Sequence, residues 1–253
     1  MHTIFQSFSV IPAQWRWLFS SLGWAALLIF TLGTLSRISL WLSGTDKKSG
    51  PLEGKGLIGA IWLVIVQPFS IDCLFARRVF ARSKLRGVML MLTTWSFIIL
   101  LLGVLNSLLE LFFQPALAMD IAGGLLLAGL SIAVVKRFVF PSVHAISLPA
   151  DSVVLVLFWA VVVLGFLLEG VNLAPLGWSE AATYPVGSAF GQAVAALTPG
   201  DPTRAYRLLY VLHGGGGFML IGYLPFSKLF HMLAAQITTL AARQRLSQTR
   251  GAA

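Results

Sequence analysis

The sequence predicts an all-α integral membrane protein, a single domain (residues 1–253) of about five transmembrane helices. Hydrophobic residues make up 57% of the chain and charged residues 11%, whereas soluble domains carry about 25% charged residues. Several apolar segments reach the roughly 20 residues that a helix needs to cross the hydrocarbon core. The net charge of +9 suits anionic lipid better than nucleic acid in so apolar a chain, and we expect no nucleic-acid partner.

The apolar segments define the predicted spans in order. They cover residues 18–42, 88–109, 117–135, 152–171 and 206–226. The first is expected to be retained, because no small-x-small cleavage site follows it at the usual distance. Segment 56–70 has only about 15 residues, which is short for a span. It is predicted as an interfacial or re-entrant helix, with a sixth span as the alternative. Residues 227–253 would form a cytoplasmic tail.

The distribution of Lys and Arg predicts the orientation. With five spans, the segments on one side of the membrane hold nine, two and four of the 18 basic residues, and the other side holds Arg16, Arg204 and Arg207. Loops rich in Lys and Arg stay in the cytoplasm. The N-terminus is therefore predicted outside and the C-terminus inside, in the cytoplasmic membrane of a prokaryote. Cys73 is the single cysteine, which excludes an internal disulfide or a cysteine-ligated cluster.

Two of the four histidines have a spacing that suits haem. His213 and His231 are 18 residues apart, which in one continuous helix is about five whole turns, or about 27 Å along the axis. Both would then project from one face and could hold two stacked haems that carry electrons across the bilayer. The alternative to haem ligation is that one of the two histidines packs between helices and the other lies at the membrane interface. The glycines at 214–217 suit either a porphyrin face or close helix packing.

The segment from His213 through Pro225-Phe226-Ser227-Lys228-Leu229-Phe230-His231 resembles the last helix of a known family. The family is that of the respiratory nitrate reductase gamma subunit and heterodisulfide reductase-type membrane cytochromes b, whose last helix carries two haem-ligating histidines at this spacing. Segments 72–97 and 136–169 resemble its basic linker and its fourth helix. The resemblance covers roughly residues 18–235. It implies one or two b-type haems with iron ligands His213 and His231. It also implies two kinds of partner, which are quinone or quinol and peripheral redox subunits of iron-sulfur or cytochrome c type.

The second predicted span departs from the family pattern because it contains no histidine. Leu90 stands where the first family ligand is expected, and Asn106 is the nearest polar residue at the outer depth. Met89 or Met91 could complete His/Met ligation at the inner site, or His144 could approach from its linker. Five-coordinate haem, a single haem and no haem are the remaining alternatives.

Charged residues near the span ends have two interpretations each. The basic cluster consists of Arg77, Arg78, Arg82, Lys84 and Arg86. It could bind anionic lipid or dock a cytoplasmic redox subunit, and Arg78 and Arg86 could contact haem propionates. Asp151 is expected at a helix N-terminus. Glu169, at the outer end of the fourth span, could accept a proton from quinol.

Together these features predict a membrane subunit of a respiratory redox complex. It would pass electrons between the quinone pool and partner redox subunits, and it would not be an enzyme alone. The alternative is a haem-free anchor or assembly subunit that docks partners through its basic linker. A small transporter or channel is a third class, which the scarcity of membrane-embedded charges and the lack of paired inverted halves disfavour.

Overall fold

The computed structural model describes residues 12–43, 77–109, 116–144, 149–173, 181–197 and 202–227, and over these ranges it contains helices and turns but no strand. The helices are α1 (Ala13–Ser43), α2 (Arg77–Arg82), α3 (Lys84–Leu109), α4 (Ala116–Val139), α5 (Pro141–His144), α6 (Pro149–Leu173), α7 (Pro185–Leu197) and α8 (Pro202–Tyr223), and a 3-10 turn (Leu224–Phe226) follows α8.

Four of the helices are long and apolar enough to cross a membrane. They contain the segments Trp15–Arg37, Ala116–Val139, Pro149–Leu173 and Arg204–Phe226. The remaining predicted span, 88–109, lies in α3, a helix of 26 residues with no charged residue after Arg86. The prediction of an all-α, multi-pass membrane protein is confirmed. The direction of the chain through the membrane stays a prediction. Segment 56–70 lies outside the described residues, as does the tail beyond 227.

Proline sets several of the helix boundaries. Four helices begin on one, at Pro141, Pro149, Pro185 and Pro202. The first helical position suits proline, because the N–H that it lacks would have no intrahelical acceptor there.

The end of α8 also depends on proline. A proline inside a helix removes a hydrogen bond and clashes with the preceding turn. Accordingly α8 ends at Tyr223, the 3-10 turn contains Pro225, and Ser227 is extended with φ −90° and ψ 164°.

The long helices pack as an open row. Helix α3 packs on α4, α4 on α6, α6 on α8, and α8 on α1, while α7 lies against α4 and α6. Over the described residues no extended contact joins α3 to α8. At the end of the row, Phe19 of α1 meets Tyr210 and Phe218 of α8, with ring centroids 5.5 and 5.0 Å apart. Much of α1 is exposed, including Trp24 at 70%, as expected of a face that lipid covers.

The row has a basic end and an acidic end. At the basic end, Arg86 of α3 lies close enough to Lys136 of α4 for their charges to interact. There Arg137 donates from Nε to Ser152 Oγ at 2.8 Å and pairs with Asp151 at 3.6 Å. Asp151 lies in the first turn of α6, as the sequence predicts. The acidic end, formed by Asp120 of α4 and Glu169 of α6, is at the opposite ends of the same helices. The basic end is the side that the charge distribution predicts to face the cytoplasm.

Candidate functional site

His213 lies midway along α8 and points at α6. Its ring is half-buried, and Nδ1 is 2.8 Å from the backbone oxygen of Val161. A carbonyl oxygen can only accept a hydrogen bond, so Nδ1 carries the proton and donates it. In the neutral imidazole the lone pair is then on Nε2. A histidine that ligates a metal through one nitrogen commonly donates its other N–H to a carbonyl. His213 therefore has the tautomer of an iron ligand.

Gly165 of α6 leaves room for the His213 ring, because it has no side chain. A Cβ atom built on Gly165 would lie 2.9 Å from Cε1 of His213, 3.3 Å from Nδ1 and 3.8 Å from Nε2. Gly165 follows Val161 by four residues, so the two lie on neighbouring turns of the same face. The ring thus lies over a glycine and reaches the carbonyl of the turn before it.

The glycines after His213 have different surroundings. Gly214 faces the ring of Phe19, and a Cβ on Gly216 would be 2.8 Å from a methyl group of Val161. Gly215 and Gly217 would have no described atom within 4 Å of a Cβ. Two of the four glycines therefore allow close packing against α1 and α6, and the other two leave open space beside the helix. Close helix packing therefore accounts for Gly214 and Gly216, and the porphyrin interpretation of the run stays a prediction.

The prediction that His213 and His231 project from one face assumed one continuous helix between them, and it stays a prediction. Because α8 ends at Tyr223 and Ser227 is extended, a count of 100° per residue does not reach His231. His231 itself lies outside the described residues. The spacing of 18 residues therefore no longer implies that both rings project from one face.

The predicted methionine ligands lie far from His213. Phe97 of α3 meets Phe158 of α6 with ring centroids 6.3 Å apart. Met89 and Met91 precede Phe97 and are half-buried; Met89 is about 12 Å nearer the basic end than Phe97. His213 contacts Val161 and Gly165, which follow Phe158 along α6. It therefore lies on the acidic side of the contact between Phe97 and Phe158. Met89 and Met91 could therefore serve only a haem near the basic end.

The other predicted cofactor contacts also lie toward the basic end. Arg86 is exposed near the start of α3. Arg78 lies in the short helix α2 and His144 is the last residue of α5; the structure describes only their backbone. Nearer the depth of His213, the described residues of α3 are Leu100, Leu102 and Gly103. None of them has a group that can ligate iron. Asn106 also lies in α3, but its side chain is not among those described.

Asp120, for which the sequence predicts no site, is the best-connected polar residue at the acidic end. Its side chain is 4% exposed. One carboxylate oxygen accepts the Val186 N–H at 2.8 Å and the other accepts the Gly187 N–H at 2.9 Å. Pro185 has no N–H, and the Ser188 N–H makes the first intrahelical bond of α7. Asp120 of α4 therefore caps the N-terminus of a helix from a different part of the chain.

Glu169 joins this arrangement from α6. Its carboxyl group lies near that of Asp120, and both carboxyl groups meet Gly187. Glu169 is also one turn from Gly165 along α6, so the acidic pair lies about one turn from the level of the His213 ring.

Helix α7 rests on α6 through a close backbone contact. The backbones of Gly170 and Gly191 touch, and Phe166 stacks on Phe190 with centroids 5.3 Å apart. This helix is not among the elements predicted from the sequence. Pro185 followed by small residues is a recognisable start signal, but the helix has only 13 residues and its capping residue is remote in sequence.

Comparison with known proteins identifies the family. The family model described as nitrate reductase gamma subunit matches residues 88–250. A dihydromethanophenazine:CoB–CoM heterodisulfide reductase subunit from Methanosarcina thermophila is 27% identical, over 85% of this chain and 88% of that protein. The corresponding Methanosarcina barkeri protein is 26% identical over the same shares. An EtfAB:quinone oxidoreductase from Syntrophomonas wolfei is 23% identical, over 88% of this chain but 33% of that longer protein. The family match covers α3 to α8 and includes His213, so this chain belongs to the nitrate reductase gamma subunit family.

Proposed function

We propose that this chain is the membrane subunit of a respiratory redox complex and passes electrons between the quinone pool and peripheral redox subunits. The observation that carries the proposal is His213, whose Nδ1–H is bound to Val161 and whose Nε2 is free to ligate. Family membership supports it, as do relatives that are themselves parts of redox systems or quinone oxidoreductases. A b-type haem bound at His213 would take up and release single electrons.

The residues present fit one haem better than two. Gly217 is four residues after His213 and therefore on the same face of α8, and the open space beside it could receive a flat ring. Near the depth of His213, the described part of α3 offers no second axial ligand, which favours five-coordinate iron or a ligand from undescribed residues. A second haem would depend on His231, with Met89, Met91 or His144 as partners, and Arg78 and Arg86 near its propionates.

The second candidate function is a haem-free anchor that docks partner subunits. The lack of an axial partner on the described part of α3 favours it, and so do the basic residues that meet at the basic end. Arg82, Lys84 and Arg86 are exposed there, and Lys136 lies near Arg86. This surface suits an acidic cytoplasmic subunit or anionic lipid. Both candidates place the N-terminus outside and the C-terminus in the cytoplasm of a prokaryote.

A reduced-minus-oxidised spectrum of the purified protein distinguishes the two candidates. The protein should be expressed with added haem precursor, extracted in mild detergent and purified. We expect the absorption bands of a b-type haem, at about one haem per chain. A folded, monodisperse protein without those bands would rule out the cytochrome and leave the anchor.

Glu169 and Asp120 are proposed to handle protons beside the redox site. Oxidation of one quinol releases two electrons and two protons, and reduction of a quinone consumes them. A protonated Glu169 could supply one of these protons to a quinone, and an ionised Glu169 could accept one from quinol. This refines the role predicted from the sequence, in which Glu169 was only an acceptor.

Glu169→Gln tests this role. The amide can still donate a hydrogen bond to Asp120, so α7 should stay in place, but the amide cannot exchange a proton. We expect quinol-driven haem reduction to slow by about 100-fold or more, with unchanged haem content, in a stopped-flow assay with a soluble quinol. Asp151→Asn, a carboxylate at the basic end, is the matched control and should leave the rate unchanged. An equal rate in Glu169→Gln and wild type would contradict the proton role.

A further inference from the structure

We propose that Gly165 is a positioning residue for His213, because its missing side chain fixes which ring nitrogen faces the cofactor. The inference rests on the proposed function, in which His213 ligates haem iron. Nothing in the family match or in the names of the relatives assigns a role to this glycine.

The first step is steric. Alanine at 165 would place Cβ 2.9 Å from Cε1 and 3.3 Å from Nδ1 of the ring. Carbon atoms in contact prefer about 3.5–4.0 Å, so the ring must move away from α6. Movement away from α6 lengthens the 2.8 Å contact between Nδ1 and the Val161 oxygen.

The second step is electronic. The Val161 carbonyl accepts the Nδ1 proton, which keeps the lone pair on Nε2 and increases the basicity of that nitrogen. A more basic ligand stabilises the oxidised iron. When the hydrogen bond is lost, the ring can rotate or change tautomer, Nε2 donates less electron density, and the reduced state is favoured. The reduction potential of the haem should therefore rise.

The contact with the His213 ring also accounts for a glycine at position 165. Glycine within a helix is unfavourable by roughly 1 kcal/mol relative to alanine, and helix α6 is otherwise rich in β-branched and large apolar residues. Gly170, the other glycine of α6, touches the backbone of Gly191. At Gly165, by contrast, the three atoms nearest to an added Cβ all belong to the His213 ring.

Gly165→Ala is the test, with Gly222→Ala as the matched control. A Cβ on Gly222 would have only ordinary contacts, at 3.8 Å or more, and Gly222 lies on the same helix as His213. In Gly165→Ala we expect haem affinity to fall by about 10- to 100-fold. We also expect the midpoint potential of the remaining haem to rise and its absorption maxima to shift. Gly222→Ala should match wild type in all three measurements.

The outcomes separate this inference from the proposed function. Wild-type protein without haem would contradict the proposed function itself. Wild-type protein with haem, together with a Gly165→Ala variant of unchanged potential and affinity, would overturn the positioning role alone.

A second comparison applies if Gly165→Ala folds poorly. Alanine at 165 should then be tolerated in a His213→Ala background, because no ring remains for its Cβ to meet. A restored unfolding midpoint in the double variant supports the contact. A midpoint as low as that of Gly165→Ala would mean that the glycine serves helix packing, and the positioning role would be rejected.

Discussion

Replacing Asp120 with alanine is expected to lower the free energy of unfolding by about 3 kcal/mol, since the variant leaves one buried and one partly buried N–H group of α7 without an acceptor. In the wild type those groups donate to the two carboxylate oxygens at 2.8 and 2.9 Å. The site is 4% exposed, so water cannot easily replace the carboxylate. Thermal or denaturant unfolding in detergent micelles measures the loss, and hydrogen exchange at Val186 and Gly187 locates it.

Asp120→Asn is the graded control. The asparagine oxygen can accept one of the two N–H groups, but its amide nitrogen cannot accept the other, so we expect an intermediate loss of about 1–2 kcal/mol. Exchange and proteolysis should increase over α7 first, because the rest of the row does not depend on this cap. If Asp120→Ala has the stability of wild type and α7 remains protected, the cap is not a determinant of the fold.

Replacing His213 with alanine is expected to abolish haem binding at its site. The side chain supplies the one described nitrogen that is both directed by a hydrogen bond and free to ligate at this depth. The loss of the bond to Val161 should cost only about 1 kcal/mol of stability, so the apoprotein should still fold. The spectrum should lose the bands of this haem entirely, and the elution volume in gel filtration should be unchanged.

Met89→Leu with Met91→Leu is the matched control for the histidine variant. These side chains lie nearer the basic end than His213, so their replacement should leave the His213 haem intact. If His213→Ala keeps its full haem content, the ligand assignment fails, whatever the methionine variant shows. If the methionine variant loses part of the spectrum, a second haem near the basic end is indicated.

Much of the fold could be predicted because the bilayer imposes it locally. The five predicted spans fall in helices, since a chain segment without water must satisfy its N–H and C=O groups within itself. Asp151 in the first turn of α6, the prolines at helix starts and the end of the last span near Pro225 are equally local effects. His213 was found from the sequence because a histidine within an apolar segment is rare and therefore conspicuous.

The parts that could not be predicted depend on contacts between residues far apart in sequence. Helix α7 is short, and its cap, Asp120, is on α4. Glu169 lies near the C-terminal end of its helix, and its approach to Asp120 follows only from the packing of α4 against α6. The same-face relation of His213 and His231 stays a prediction, because a proline-containing turn follows Tyr223 and His231 lies outside the described residues.

The sequence by itself determined that this chain is a multi-pass helical membrane protein, and which histidine within its spans is a candidate ligand. It could do so because hydrophobicity, helix length and proline act over a few neighbouring residues. Only the tertiary structure shows the hydrogen bond from His213 to Val161, the place of Gly165 beneath the ring, and the position of Asp120 and Glu169 at the start of α7. Those features arise where α4, α6, α7 and α8 meet, and sequence distance carries no information about which of their atoms come within hydrogen-bond reach.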